Sequence, residues 1–201
     1  MTQIPGNHDP GRPCVGIIML DTRFPRIRGD IGNPDTFEFP VRFSVVKGAS
    51  PDRIVRNPAP SLIAPFIRAG QGLIRDGAVV ITTSCGFLSL FHTQLTSALT
   101  VPVFSSSLLQ IPLARAVISP GRKVGIITAS RTALTPEHLS AIGIDGRGLV
   151  FAGMEHAPEF SSVFLGNKST LDQDRCAAEF HTSITSCGQI SEKKWGTAPQ
   201  K

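Results

Sequence analysis

The chain has 201 residues, of which 41% are hydrophobic, so it is long and apolar enough to form one large domain or two small lobes. Its net charge of +5 comes from scattered basic residues, and charged residues make up only 17% of the chain. No basic stripe, zinc-finger spacing or RNA-binding aromatic motif is present. These features argue against a disordered chain and against a nucleic-acid partner, and they suit an enzyme of acidic metabolites.

The sequence also bears on compartment and cofactors. Residues 1–13 are polar rather than signal-like, and no apolar run reaches the roughly 20 residues of a membrane span. Cys14, Cys85, Cys176 and Cys187 lack the spacing of a zinc site or a redox dithiol. The sequence carries neither a phosphate loop nor a strand followed by GxGxxG. We therefore expect a cytoplasmic protein with reduced thiols, no membrane partner, no metal and no nucleotide cofactor.

Strand-like and helix-like segments alternate along the chain, which predicts an α/β fold with parallel strands. In the first half, the patterns predict strands over 14–20 and 41–46, a strand within the run 78–86 with Cys85 at its carboxyl end, and helices over 61–76 and 87–99. In the second half, they predict strands over 101–104, 124–128 and 149–153, and helices over 108–118, 136–143 and 171–180. Thr135 and Pro136 have the residue types of an N-cap followed by the first helical position.

These elements predict four regions. An N-terminal arm covers residues 1–13, a first α/β lobe covers 14–100, and a second α/β lobe covers 101–181. The segment 182–201 is rich in Ser, Thr, Gly and Lys and has no sustained apolar period, so we expect a poorly ordered tail.

The run 78–86 is the most informative stretch of the sequence. A continuous apolar, β-branched strand ends in the turn Ser84-Cys85-Gly86, directly before a helical pattern. Parallel sheets bind ligands at the carboxyl ends of their strands, and a helix start there would lower the pKa of a thiol. Cys85 is thus a candidate catalytic residue; the alternative is a buried structural cysteine.

Other strand ends also carry small polar residues, so the sequence predicts a hydroxyl-rich crevice that suits a carboxylate. The alternative is that these residues only cap helices and close turns. The candidate substrate-binding residues are Asp21, Thr83, Ser84, Gly86, Ser105, Ser106 and Thr128.

Several of these segments together resemble the aspartate/glutamate racemase superfamily, over roughly residues 14–179. The resemblance is carried by residues 28–37, 81–87, 101–107, 124–129 and 151–155. It implies two pseudo-symmetric lobes, each with a parallel sheet flanked by helices, and a substrate carboxylate held between them. It also implies catalysis without a cofactor, by one cysteine from each lobe, in a possible homodimer.

Within this resemblance, Cys85 matches the first catalytic cysteine. The second is expected in a Cys-Thr turn after a later strand, and the comparison leads us to expect that the last strand or strands of the family fold are missing here. Cys187 is the only late candidate, but no apolar strand precedes it.

Three functional interpretations follow from this comparison. The first is an amino-acid racemase of the aspartate/glutamate type, an isomerase that uses Cys85 as a thiolate acid/base on a small carboxylate substrate. The second is a relative that lacks the two-cysteine pair, either a single-cysteine decarboxylase or isomerase of a small dicarboxylic acid or an inactive member that binds an acidic metabolite. The third is an unrelated α/β binding module.

Overall fold

The computed structural model describes residues 2–4, 12–57 and 60–189. The strands are β1 (Thr2–Ile4), β2 (Cys14–Leu20), β3 (Val41–Val46), β4 (Ala78–Thr83), β5 (Val103–Phe104), β6 (Val124–Thr128) and β7 (Leu149–Gly153). The helices are α1 (Ile63–Arg75), α2 (His92–Ala98), α3 (Ile111–Val117), α4 (Pro136–Ser140), α5 (Pro158–Phe160) and α6 (Gln173–Gln189). No helix in these described ranges is long and apolar enough to cross a membrane.

The strands form two sheets. The first has the order β1-β3-β2-β4-β5, and the second pairs β6 with β7. Strands β2 to β5 are parallel to one another, and β6 is parallel to β7. The predicted α/β class with parallel sheets flanked by helices is confirmed. One edge differs, because β1 lies within the predicted N-terminal arm and pairs antiparallel with β3.

Strand β2 shows why the first sheet forms where it does. Its apolar run is covered on both faces, as expected for a central parallel strand. Ile17 packs in a cluster with Val41 and Phe43 on one face, whereas Ile18 belongs to the larger core on the other face. That larger core also contains Phe151 of the second lobe, so the two lobes share one hydrophobic core.

The helices after β4 and β5 begin differently from the prediction. A 3₁₀-helix over Gly86–Phe91 precedes α2, and another over Ser107–Gln110 precedes α3. The predicted start of α4 is confirmed, because Thr135 is its N-cap and forms a capping box with His138. Two segments that the sequence patterns left unassigned are π-helical, Asp52–Arg56 and Ser161–Leu165.

Helix α6 begins close to the predicted position but continues further. It runs from Gln173 to Gln189, so residues 182–189 of the predicted tail are helical. Residues 190–201 lie outside the described part of the chain. Helix α6 packs against β6 and β7 of the second sheet.

Gly16 in β2 allows the close packing of helix α1 on the first sheet. A Cβ atom there would lie 2.6 Å from Ile81 Cδ1 and 3.1 Å from Leu73 Cβ. We expect Gly16→Ala to lower the free energy of unfolding by about 1–3 kcal/mol, because the added methyl group overpacks a filled core. Urea denaturation monitored by circular dichroism measures this change.

Gly72 in α1 is the matched control, since a Cβ atom added there would have Arg75 Nη2 as its nearest neighbour, at 3.8 Å. Gly72→Ala should raise the free energy of unfolding by about 0.5–1 kcal/mol through helix propensity. Equal stability of Gly16→Ala and the parent chain would contradict the packing explanation.

Candidate active site

A cavity of about 290 Å³ lies where the carboxyl ends of strands from both sheets meet. Leu20 at the end of β2, Cys85 after β4, Ser106 after β5 and Thr128 at the end of β6 all line it. Parallel strands place their carboxyl ends at one edge of a sheet, and this edge is where α/β proteins bind ligands. The cavity therefore brings together residues that are far apart in sequence.

Cys85 is a free, half-buried cysteine at the start of the Gly86–Phe91 3₁₀-helix. Burial raises the pKa of its thiol to about 11, although the N–H groups of Phe87 and Leu88 and the charge of Arg26 act in the opposite direction. The expectation of a lowered thiol pKa was therefore wrong, because loss of water around the sulfur outweighs the nearby N–H groups. With this pKa, the Cys85 thiol is protonated at neutral pH.

Two predicted hydroxyl residues line the cavity and also hold the turns in place. Ser84 Oγ accepts a hydrogen bond from the N–H of Leu20 at 3.1 Å, and Ser106 Oγ accepts one from the N–H of Leu108 at 3.2 Å. Gly86 lines the same wall, and a Cβ atom there would be 3.3 Å from Ser106 Oγ. The absence of a side chain at Gly86 thus lets the turns after β4 and β5 approach closely.

Three other predicted residues are placed outside the cavity lining. Thr83 Oγ1 donates to the carbonyl of Ser105 at 2.8 Å, and Ser105 Oγ lies 2.9 Å from His92 Nδ1. Asp21 accepts a hydrogen bond from the N–H of Gly48 at 2.9 Å. These contacts join the end of β4 to the residue after β5, that residue to α2, and the residue after β2 to the turn after β3. Thr83, Ser105 and Asp21 are not among the residues that line the cavity.

The later cysteines lie on α6. Cys176 is half-buried, and burial raises the pKa of its thiol. The backbone of Cys187 is part of the helix, and its side chain lies outside the described residues. The second-thiol assignment of Cys187 stays a prediction.

Arg26 is a cavity residue that the sequence patterns did not single out. Its guanidinium donates to Asp30 Oδ1 and to Thr22 Oγ1, each at 2.9 Å. Its Nε is buried and has no hydrogen-bond partner. A buried donor without a partner is costly, and a bound carboxylate could satisfy it. Arg26 lies in a loop with several arginines and no helical or strand period. The spacing of residues in this loop therefore could not show which arginine enters the cavity.

Three phenylalanines also line the cavity, two of them from the second lobe. Phe160 in α5 and Phe164 in the π-helix line the cavity together with Phe24. The described residues contain no cluster of three His, Cys, Asp or Glu side chains that could hold a metal ion. Among the described residues, the groups that line the cavity are therefore one thiol, one arginine paired with the carboxylate of Asp30, several hydroxyls and aromatic rings.

Similarity to solved structures defines the class of fold. A double mutant of arylmalonate decarboxylase in its liganded form matches with a TM-score of 0.50 and 16% sequence identity, over 86% of this chain and 74% of that one. The chain therefore has an α/β fold similar to that of arylmalonate decarboxylase. No family model matches the chain.

The relatives found by sequence are named as lyases. Dimethylsulfoniopropionate lyase 3 of Emiliania huxleyi (strain CCMP1516) is 29% identical over 166 residues, which cover 80% of this chain and 43% of that protein. Dimethylsulfoniopropionate lyase of Durusdinium sp. clade D is 29% identical over 178 residues, which cover 84% of this chain and 59% of that protein. The chain thus spans about half the length of the curated relatives it matches. The chain is similar to enzymes in both comparisons.

Proposed function

We propose that the chain forms the thiol-bearing site of a cofactor-independent lyase that acts on a small carboxylate, with dimethylsulfoniopropionate as the substrate. The observation that carries this proposal is the pairing of Cys85 with Arg26 in one cavity, since Arg26 has a buried Nε without a partner. The names of the relatives supply the substrate. The racemase interpretation has less support, although racemisation also begins by removing a proton next to a carboxylate.

The proposed reaction is an elimination that begins at Cys85. Its thiolate removes a proton from the carbon next to the substrate carboxylate, and the C–H electron pair becomes the new C=C bond. The C–S bond breaks, and its electron pair leaves with the sulfur. The products are acrylate, neutral dimethyl sulfide and the Cys85 thiol, which then loses its proton to water.

Arg26 has two roles in this scheme. Its unpartnered Nε donates to the substrate carboxylate and holds the negative charge that develops there as the proton leaves. Its positive charge also lowers the pKa of the Cys85 thiol, against the larger effect of burial. A sulfonium group bound nearby would lower the pKa of this thiol further, because an opposite charge favours the thiolate.

Decarboxylation is the second candidate function. The observation that favours it is the thiol pKa of about 11, which keeps Cys85 protonated at neutral pH. A thiol in that state can return a proton to the carbanion left by loss of carbon dioxide, and this step needs only one cysteine.

The pH dependence of kcat/KM separates the two reactions. In elimination the thiolate is the active form, so kcat/KM for dimethyl sulfide release should rise about tenfold per pH unit between pH 7 and 10 and level off near the pKa of about 11. Decarboxylation of an arylmalonate should stay constant over that range and fall above it, because the thiol is then the active form. Gas chromatography of the headspace measures the sulfide.

Circular dichroism at each pH serves as the control for folding. A pH-independent release of dimethyl sulfide would contradict the role of Cys85 as the base. A complete absence of dimethyl sulfide, together with carbon dioxide release from a malonate, would favour the second candidate.

A further inference from the structure

Three phenylalanine rings form a cluster at the cavity wall. The ring centroids of Phe24 and Phe164 are 4.8 Å apart in an edge-on arrangement, and those of Phe160 and Phe164 are also 4.8 Å apart. We call this set the aromatic cluster. Phe24 comes from the loop after β2, Phe160 from α5 and Phe164 from the π-helix Ser161–Leu165, so the cluster joins the first lobe to the second.

Hydrogen bonds fix the two backbone segments that carry the aromatic cluster. Glu179 of α6 accepts hydrogen bonds from the N–H groups of Glu159 and Phe160 at 2.9 and 2.8 Å. Asn167 has a positive φ of 58°, and its side-chain oxygen accepts from the N–H of Arg23 at 2.7 Å. These contacts tie both backbone segments in place, so the rings are positioned before a ligand arrives.

The cluster already accommodates one cation. The guanidinium carbon of Arg26 lies 4.3 Å from the centroid of the Phe24 ring, within the range of a cation–π contact. Arg26 therefore lines the cavity and also covers one ring of the cluster with its guanidinium. Phe160 and Phe164 line the cavity without a cation against either of them among the described contacts.

We propose that Phe160 and Phe164 form a subsite for a methylated onium group, here the dimethylsulfonium end of the substrate. This inference rests on the proposed function, since that function supplies a substrate with a carboxylate at one end and a cation at the other. Methylated cations bind to aromatic faces through the negative potential of the ring. The subsite determines specificity: it selects a cationic leaving group, while Arg26 selects the carboxylate.

A pair of isosteric ligands tests the charge preference directly. Dimethylsulfoniopropionate and 4-methylpentanoate share shape and carboxylate and differ by the positive charge. Calorimetric titration uses the full chain with Cys85→Ser, which prevents turnover. We expect this chain to prefer the sulfonium ligand, and the added change Phe164→Leu to weaken that ligand by about 2- to 30-fold. Binding of 4-methylpentanoate should change less than twofold, because leucine keeps an apolar side chain there.

Phe160→Leu provides a second variant, in case one substitution disturbs the fold. Phe39→Leu is the matched control, because Phe39 is 50% exposed and pairs with Phe37 away from the cavity. Equal weakening of both ligands by Phe160→Leu and Phe164→Leu would overturn the subsite. Equal affinity of the Cys85→Ser chain for the two ligands, or no binding of either ligand, would also overturn it.

Sulfide release and the preference for the sulfonium ligand together distinguish failure of the proposed function from failure of the subsite. If the chain with Cys85 intact releases no dimethyl sulfide, but the sulfonium preference exists and is lost on Phe164→Leu, the lyase assignment fails and the onium subsite holds. If sulfide is released and the preference is absent, the lyase assignment holds and the subsite fails.

Discussion

Cys85→Ser should reduce the release of dimethyl sulfide by at least about 10³-fold, because a serine hydroxyl is far less acidic than a thiol and cannot supply the base. The thiol lines the cavity and is the single described cysteine that does so. Since the change swaps sulfur for oxygen at a half-buried position, we expect the fold to be retained. The measurement is kcat/KM from headspace sulfide at pH 9, with circular dichroism for folding.

Cys176→Ser is the matched control for this experiment. Cys176 is also a half-buried cysteine with a raised thiol pKa, but it lies on α6 outside the cavity lining. It should keep kcat/KM within about twofold, as expected for a conservative change away from the site. Retention of more than a tenth of the activity by Cys85→Ser would show that another group removes the proton.

Arg26→Gln should have the second largest effect, in two measurable parts. Loss of a charge-assisted hydrogen bond to the substrate carboxylate removes about 1.5–3 kcal/mol, which corresponds to an increase in KM of roughly 10- to 150-fold. Loss of the guanidinium also removes a charge that lowers the pKa of Cys85. The thiol pKa rises further, so the rising part of the pH profile of kcat/KM moves to higher pH.

A purely structural role for Arg26 would lower activity without moving the pH profile, so an unchanged profile would contradict the proposed coupling to Cys85. Arg26→Lys separates the two parts, because it keeps a positive charge near the thiol and loses the planar guanidinium. Arg147→Gln is the control, since Arg147 is 91% exposed and pairs with Asp145 away from this cavity. We expect it to leave both KM and the pH profile unchanged.

Local patterns in the sequence located four of the strands at both ends. The runs at 14–20, 41–46, 124–128 and 149–153 agree with β2, β3, β6 and β7 at both ends. Buried parallel strands require continuous apolar residues, and this requirement is visible in one segment at a time. The short strand β1 was missed because its pairing with β3 depends on residues about forty positions away.

The polar residues at the strand ends were predicted as one group, and the sequence did not show which of them line the cavity. Ser84 and Ser106 line the cavity, whereas their neighbours Thr83 and Ser105 hydrogen-bond behind it. Adjacent side chains on an extended backbone point to opposite sides, and the side that faces a cavity depends on where the other strands lie. Sequence alone therefore predicted the edge of the sheet that forms the site, and not which hydroxyls enter it.

The apolar runs and the turn at Cys85 were sufficient to establish an α/β chain with a thiol at a strand end, because both properties depend on residues that are neighbours in sequence. The tertiary structure decided the rest. It placed Arg26 and the three phenylalanines beside that thiol, and it set the thiol pKa at about 11 instead of lowering it. The distances between these groups and the exclusion of water around the sulfur arise only when two lobes pack into one core.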